Sequence, residues 1–181
     1  MIEIGEKLNC NSLVYLKRLH VNDVTDAYVD WMNDYEIVKY TESGHMYHTL
    51  ESTKAFIHSV WNDNNYCFGI FDITNDLHIG NIKLGNINNC YKYADVGLII
   101  GNSNYWGKGI AKDAISAIVK FAFKKLCLHR LYAGIYAPNI GSIKAFERAG
   151  FIKEGIEKEK YLFEGQRIDS YLYGIVNNEV K

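Results

Sequence analysis

The apolar pattern of this chain changes period across two glycines, and few folds accommodate that change. Ala94 to Ile100 is a nearly continuous apolar run of strand length, which predicts burial on both faces. From Gly109 to Leu126 the apolar residues recur at helical spacing. Ile115, Ile118, Val119 and Ala122 share one side, and Lys112, Ser116, Lys120 and Lys124 the other. The junction reads Asn104-Tyr105-Trp106-Gly107-Lys108-Gly109-Ile110-Ala111. Gly107 and Gly109 remove side chains where the backbone swings into the helix. The first N–H groups of that helix have no partner within it, and the helix dipole makes their end positive. A phosphate suits such an end, and Lys108 and Lys112 add charge nearby. On these residues alone a phosphate site and a ligand-free turn stand equal. The Walker order G-x-x-x-x-G-K-[ST] is absent, and the dinucleotide fingerprint would need glycine where Lys112 stands.

The remaining punctuation alternates strands with helices. Leu13 to Leu19 reads as a strand. Asn22 or Asp23 caps a helix from Val24 to Met32, with Val24, Ala27, Tyr28 and Trp31 on one stripe. Residues 33–48 look irregular apart from a short helix near Glu36 to Tyr40, and Thr49-x-x-Ser52 or Glu51 opens a helix through Ala55, Phe56, Ile57 and Val60. Tyr66 to Ile73 and His78 to Ile87 form a hairpin about Asn75-Asp76. Arg130 to Ala137 is a further strand. Asn139 caps the next helix, Gly150 ends it, and two strands follow near 151–162 and 168–176. This alternation argues for a mixed α/β sheet with helices on both faces.

Composition bounds the function classes. The chain has 181 residues, 48% of them hydrophobic, with no linker or repeat, so one domain spanning 1–181 is expected. A formal net charge of -1 argues against nucleic acid as a partner. No apolar run approaches the ~20 residues that a membrane helix needs. The first residues lack a basic stretch followed by an apolar one, so no secretion leader is expected. Cys10, Cys67, Cys90 and Cys127 lie far apart with no C-x-x-C pair. They read as free thiols in a cytoplasmic protein, without a metal.

A second motif lies about thirty residues beyond the glycine turn: Asn139-Ile140-Gly141-Ser142-Ile143-Lys144-Ala145-Phe146-Glu147-Arg148-Ala149-Gly150-Phe151. Here the sequence resembles the GNAT superfamily of acetyl-CoA-dependent N-acetyltransferases. The superfamily's pyrophosphate loop is (Gln/Arg)-x-x-Gly-x-(Gly/Ala), and Trp106-Gly107-Lys108-Gly109-Ile110-Ala111 matches it except at Trp106. Tryptophan at that position is usual in the ribosomal-protein acetyltransferase-like (RimJ/RimL-type) branch. The Asn-x-x-Ser-x-x-x-Phe-x-x-x-Gly-Phe run matches the second signature in full, and the order of elements fits over nearly the whole chain.

The resemblance implies a mostly antiparallel central sheet with a splay between two central strands. It implies acetyl-CoA as cosubstrate, no metal, and direct attack of a primary amine on the thioester. Leu98, Ile99 and Ile100 would meet the pantetheine arm through their backbone, and Gly107, Lys108, Gly109, Ile110 and Ala111 would hold the pyrophosphate, with Trp106 beside them. Asn139 and Ser142 would reach toward the arm and sulfur, Ser142 giving a proton to the leaving thiolate. Asp95 is the first candidate for general base, with Glu159 and His45 behind it. Asp169 would point into the acceptor cleft or pin its turn. Tyr40, Glu42, His45, Tyr47 and His48 would form the acceptor patch. By contrast, His20, His58, His78 and His129 read as structural, and the run Glu157 to Lys160 as a solvated edge.

Three acceptor classes follow: a small-molecule amine such as a nucleotide-linked amino sugar, a protein N-terminus, and a polyamine or aminoglycoside-type antibiotic. Residues 31–40 and 78–85 look similar to a subgroup associated with surface-polysaccharide synthesis, which favours the first class. Glu42 is the one acid in residues 40–48, which disfavours a strongly cationic acceptor. An acyl-CoA sensor is the non-enzyme alternative, and a homodimer is the oligomer the resemblance allows.

Overall fold

The computed structural model describes residues 6–10, 13–63 and 65–178. Its strands are β1 (Lys7–Asn9), β2 (Val14–Arg18), β3 (Tyr66–Asp72), β4 (His78–Asn88), β5 (Tyr93–Ile100), β6 (Arg130–Tyr136), β7 (Ile152–Phe163) and β8 (Gln166–Val176). The helices are α1 (Asp26–Asn33), α2 (Tyr35–Val38), α3 (Leu50–Asn62), α4 (Ile110–Lys124) and α5 (Ile140–Arg148). The strands form one sheet in the order β1-β2-β3-β4-β5-β6-β8-β7. Neighbours are antiparallel except β5 and β6, which run parallel.

Alternation along each strand splits the apolar residues between two cores. Leu16, Phe68, Ile70, Ile82, Leu84, Ala94 and Val96 face α4, which buries Ile110, Ala114, Ile115, Ile118, Phe121 and Ala122 against them. On the other face, Tyr15, Cys67 and Phe71 pack with Tyr28 and Met32 of α1 and Ile57 and Val60 of α3. The sheet is therefore covered on both faces, as the alternating pattern required. Of the two starts read for α3, the structure has Thr49 as the N-cap, in a capping box with Ser52. The α1 cap differs from expectation. Asn22 and Asp23 fall in a short 3-10 turn, Thr25 caps the helix, and Ala27 is exposed. Three residues able to cap stand close together here, and the 3-10 turn absorbs the first two.

The junction of β5 and β6 positions the site. The two strands pair only through Tyr93 with Arg130, Ala94 with Leu131, and Asp95 with Tyr132. Beyond Asp95 each keeps its other neighbour: Val96 to Ile100 stay on β4, and Ala133 to Tyr136 stay on β8. A wedge opens between them, and it corrects the expectation of burial for residues 94–100. Ala94 and Val96 are buried, but Leu98, Ile99 and Ile100 are half-buried and Gly97 is exposed. Their apolar character belongs to the wall of a cleft.

Phe121 is central to the α4 core, edge-on to Tyr66 at 5.3 Å and to Phe68 at 5.4 Å between ring centroids. Phe121→Ala is expected to cost ~3–5 kcal/mol of unfolding free energy, measured by urea titration. A loss below about 1 kcal/mol would contradict this account of the core.

Candidate active site

The wedge leads into a cleft of about 790 Å³, lined from β4, β5, β6, the N-termini of α4 and α5, α1, α2 and the segment after it. At one end lies the glycine turn. Gly109 is the N-cap of α4 with φ 80°, and Gly107 has φ 74°. Space does not dictate these glycines, since a Cβ at either would meet nothing within 4 Å. The left-handed backbone does, because it turns successive N–H groups outward over open volume. Side chains tie the loop down at two points. The Trp106 indole N–H donates to the Ile100 carbonyl at 2.8 Å, and the Tyr105 hydroxyl donates to Asp72 at 2.6 Å. Lys108 stands 5.2 Å from the Tyr105 ring centroid and does not line the cleft, whereas Lys112 does. The open N-terminus of a fifteen-residue helix, with Lys112 beside it and ion-paired to Asp113 at 2.7 Å, fits a pyrophosphate.

At the second helix start, Asn139 Oδ1 accepts from the Ser142 backbone N–H at 3.1 Å. This cap sets the first turn of α5, and it brings Asn139 and half-buried Ser142 to the cleft wall. Leu98, Ile99, Ile100, Trp106, Gly107, Gly109, Ile110 and Ala111 line the cleft with them.

The opposite lobe lies on the α1–α3 face of the sheet. Its floor is a small grid in which Asn81 lies opposite Ile99, Lys83 opposite Gly97 and Gly85 opposite Asp95. A Cβ at Gly85 would stand 2.8 Å from Asp95 Oδ1 and 3.1 Å from Lys83 Nζ. Both polar tips thus converge over that glycine. Asp95 Oδ1 is buried and has no hydrogen-bond partner. The side wall is aromatic. Tyr136 and Tyr161 stack at 3.8 Å with an interplanar angle of 7°, and Tyr40 lies 6.0 Å from Tyr136. The Tyr136 hydroxyl donates to Glu42 over a long 3.5 Å. Burial, followed by the Glu42 charge, pushes the Tyr136 phenol up to about 12, so it is a neutral donor at pH 7.

Of the acceptor patch read from the sequence, Tyr40 and Glu42 line the cleft, and His45, Tyr47 and His48 do not. Tyr47 is 82% exposed, and His48 Nε2 lies 2.9 Å from the Ser43 carbonyl. Glu159 is exposed at a bulge in β7 with φ 53°. Asp169 pins that bulge, accepting from the Glu159 backbone N–H at 3.0 Å and from Lys158 at 2.9 Å. Those two bonds, the backbone one first, hold the Asp169 carboxyl below its ordinary range. The run 157–160 is thus more than a solvated edge, because its bulge carries Tyr161 over Tyr136. Tyr136, Tyr161, Asn81 and Lys83 were not singled out from the sequence. A tyrosine in a strand pattern gives no sign of a bulge, and Lys83 reads as one polar step in an alternating strand. Among the described residues no group of three His, Cys, Asp or Glu side chains is placed to hold a metal.

Residues 14–152 match the acetyltransferase (GNAT) domain family. The chain belongs to this family. It is an acetyl-CoA-dependent N-acetyltransferase, with the splayed sheet and glycine turn of a GNAT fold. A probable N-acetyltransferase of Bacillus subtilis, YjcK, is 29% identical over 91% of this chain and 94% of its own. The spermidine N-acetyltransferase of Vibrio cholerae, solved with CoA and spermine, is similar with a TM-score of 0.82 and 25% identity, covering 92% of this chain and 96% of that one. The ribosomal-protein-S5-alanine acetyltransferase of Vibrio fischeri shares the fold with a TM-score of 0.83 and 24% identity, covering 98% and 100%.

Because Gly109 holds φ 80° in open space, Gly109→Val is expected to strain the turn rather than to clash. Calorimetric titration should show CoA affinity reduced at least ~30-fold, while the melting transition stays cooperative. Unchanged affinity would remove the turn from the pyrophosphate site.

Proposed function

We propose that this GNAT enzyme acetylates the primary amine of a small molecule, and that an amino sugar, free or nucleotide-linked, is the class its cleft suits best. The stacked wall of Tyr136 and Tyr161 carries this reading. A flat aromatic face packs well against a sugar ring, and the neutral Tyr136 phenol and Glu42 offer hydrogen bonds to hydroxyls. The RimJ/RimL-type branch is supported by Trp106 ahead of the glycine turn and by the fold shared with the Vibrio fischeri enzyme. Both apolar cores share one sheet, which supports one domain over 1–181. The free cysteines support a reducing compartment such as the cytoplasm, and no helix of the described residues is long and apolar enough to cross a membrane.

A polyamine is the second reading. It rests on the similarity to a spermidine N-acetyltransferase and on the carboxylates of Glu36, Glu42 and Asp95 along the cleft. Lys39 and Lys83 line the same lobe, and Lys39 is bonded to Glu36 at 2.6 Å, which leaves less negative charge than a polycation calls for.

The proposed chemistry needs few groups. Asp95 takes the ammonium proton, directly or through water, so that a neutral amine attacks the thioester carbonyl. An unpaired N–H of β5 beyond Asp95 stabilises the oxyanion, because the splay leaves that strand edge without a β6 partner. Ser142 donates to the departing thiolate. Ser142→Ala is expected to lower kcat about 100-fold with the acetyl-CoA KM within ~3-fold. Unchanged turnover would remove Ser142 from proton transfer.

Thiol release with glucosamine, spermidine and an alanyl peptide as acceptors tests the acceptor. Glucosamine should give the highest kcat/KM. Preference for spermidine would establish the second reading. Tight CoA binding with no thiol release on any amine would favour an acyl-CoA sensor.

A further inference from the structure

The floor of the acceptor lobe carries one polar side chain whose orientation is fixed and whose donors are unused. Asn81 is 6% exposed and lines the cleft. The register between β3 and β4 shifts at Ile70 and Phe71, and this bulge brings His78 and Asn81, three residues apart, to the same face. His78 Nε2 lies 3.0 Å from the Gly80 carbonyl oxygen and 2.8 Å from Asn81 Oδ1. A carbonyl oxygen only accepts, so Nε2 must carry the proton. The Asn81 atom facing that N–H must then be the amide oxygen, which turns Nδ2 away from His78.

The imidazole is itself held. It stacks on Phe71 at 4.8 Å and meets Trp31 at 5.1 Å and Tyr28 at 5.7 Å edge-on. Gly69 leaves room for it, since a Cβ there would stand 3.0 Å from Nε2. Burial holds His78 below its ordinary pKa, so the ring stays neutral at pH 7 and keeps one defined tautomer. The result is an amide clamped by a rigid ring, with Nδ2 buried and without a hydrogen-bond partner. Two unused donors at a buried site destabilise a fold unless a ligand satisfies them.

We propose that Asn81 is the acceptor-specificity residue, donating from Nδ2 to a hydroxyl oxygen carried on the carbon next to the reacting amine, with His78 as its positioning residue. This rests on the small-amine reading above and names the feature of the amine that is read. An amino sugar presents such a vicinal hydroxyl. A polyamine does not, and its protonated nitrogens only donate, so they leave Nδ2 unpaired.

The matched amines trans-2-aminocyclohexanol and cyclohexylamine differ by that hydroxyl alone. Thiol release by the full chain with acetyl-CoA gives kcat/KM for each, and the ratio is the readout. The unmodified protein is expected to prefer the amino alcohol about tenfold or more. Asn81→Leu and Asn81→Ala should bring the ratio to within about threefold, through a raised KM for the amino alcohol. His78→Gln, which keeps a donor to Oδ1, should retain more of the preference than His78→Leu. Acetyl-CoA binding by each variant, measured calorimetrically, shows that it is folded.

Turnover of both amines without preference in the unmodified protein overturns the proposal and leaves the small-amine reading standing. So does a ratio that survives Asn81→Leu while both rates fall equally, because the amide would then serve the thioester carbonyl. A preference for alaninamide over the amino alcohol, lost in Asn81→Leu, would place Asn81 on a carbonyl and overturn the hydroxyl assignment. Turnover of neither amine, with spermidine or an alanyl peptide accepted, overturns the small-amine reading and the proposal together.

Discussion

The structure depends on where β5 and β6 stop pairing. Three parallel pairs hold them together, and then each strand stays with its outer neighbour. The end of β5 is pinned to β4, because the Gly101 and Asn102 N–H groups both donate to the Ile79 carbonyl. Trp106 adds a bond to the last carbonyl of β5. The strand therefore cannot lean across to close the gap. Two strand edges are left open, and backbone groups there need partners from outside the sheet. An extended arm with amides of its own, such as pantetheine, is chemically suited to such an edge.

The same divergence places the helices. Both β5 and β6 run toward the wide end of the wedge, and each is followed by a helix, α4 and α5. Two helix N-termini therefore meet the cleft, each with unpaired N–H groups and a positive dipole end. Their caps differ in kind. α4 begins at a glycine in left-handed conformation with no side-chain cap, which leaves its donors free, whereas Asn139 occupies one donor of α5. An anion belongs at the first and a neutral group at the second. Pro138, the single proline of the chain, sits before Asn139, where a fixed φ and a missing N–H suit the end of a strand.

The sequence carried the order of elements because apolar periods and caps are local signals. The Gly107–Gly109 turn and the Asn139 cap sit where they were read, and they bring Ser142 to the same cleft as Leu98, Ile99 and Ile100. What escaped was set by register. Apolar residues 98–100 look buried until the strand beside them departs. Tyr161 reaches Tyr136 only because Asp169 holds a bulge two residues ahead of it. His45 and His48 carried no pattern beyond their residue type; His45 ends a 3-10 turn, His48 lies three residues beyond it, and neither lines the cleft. His78 packs against Phe71, Trp31 and Tyr28, and only the bulge at Ile70 and Phe71 shows that it reaches Asn81.

The distribution of unsatisfied polar atoms separates function from stability. Among the described residues, five buried side-chain atoms have no hydrogen-bond partner: Arg18 Nε, His78 Nδ1, Asn81 Nδ2, Asp95 Oδ1 and Ser170 Oγ. Three of them belong to the clamped floor of the acceptor lobe or to the ring that clamps it. Replacing His78, Asn81 and Asp95 by apolar residues of similar size would relieve a desolvation cost at each. A chain shaped by stability alone has no reason to gather them on one face of two adjacent strands. Preorganised donors and acceptors gain their value when a ligand with matching groups arrives, since they then need no reorganisation. The floor is therefore built for a partner that carries its own polar atoms. A purely hydrocarbon amine would leave the arrangement at its full cost.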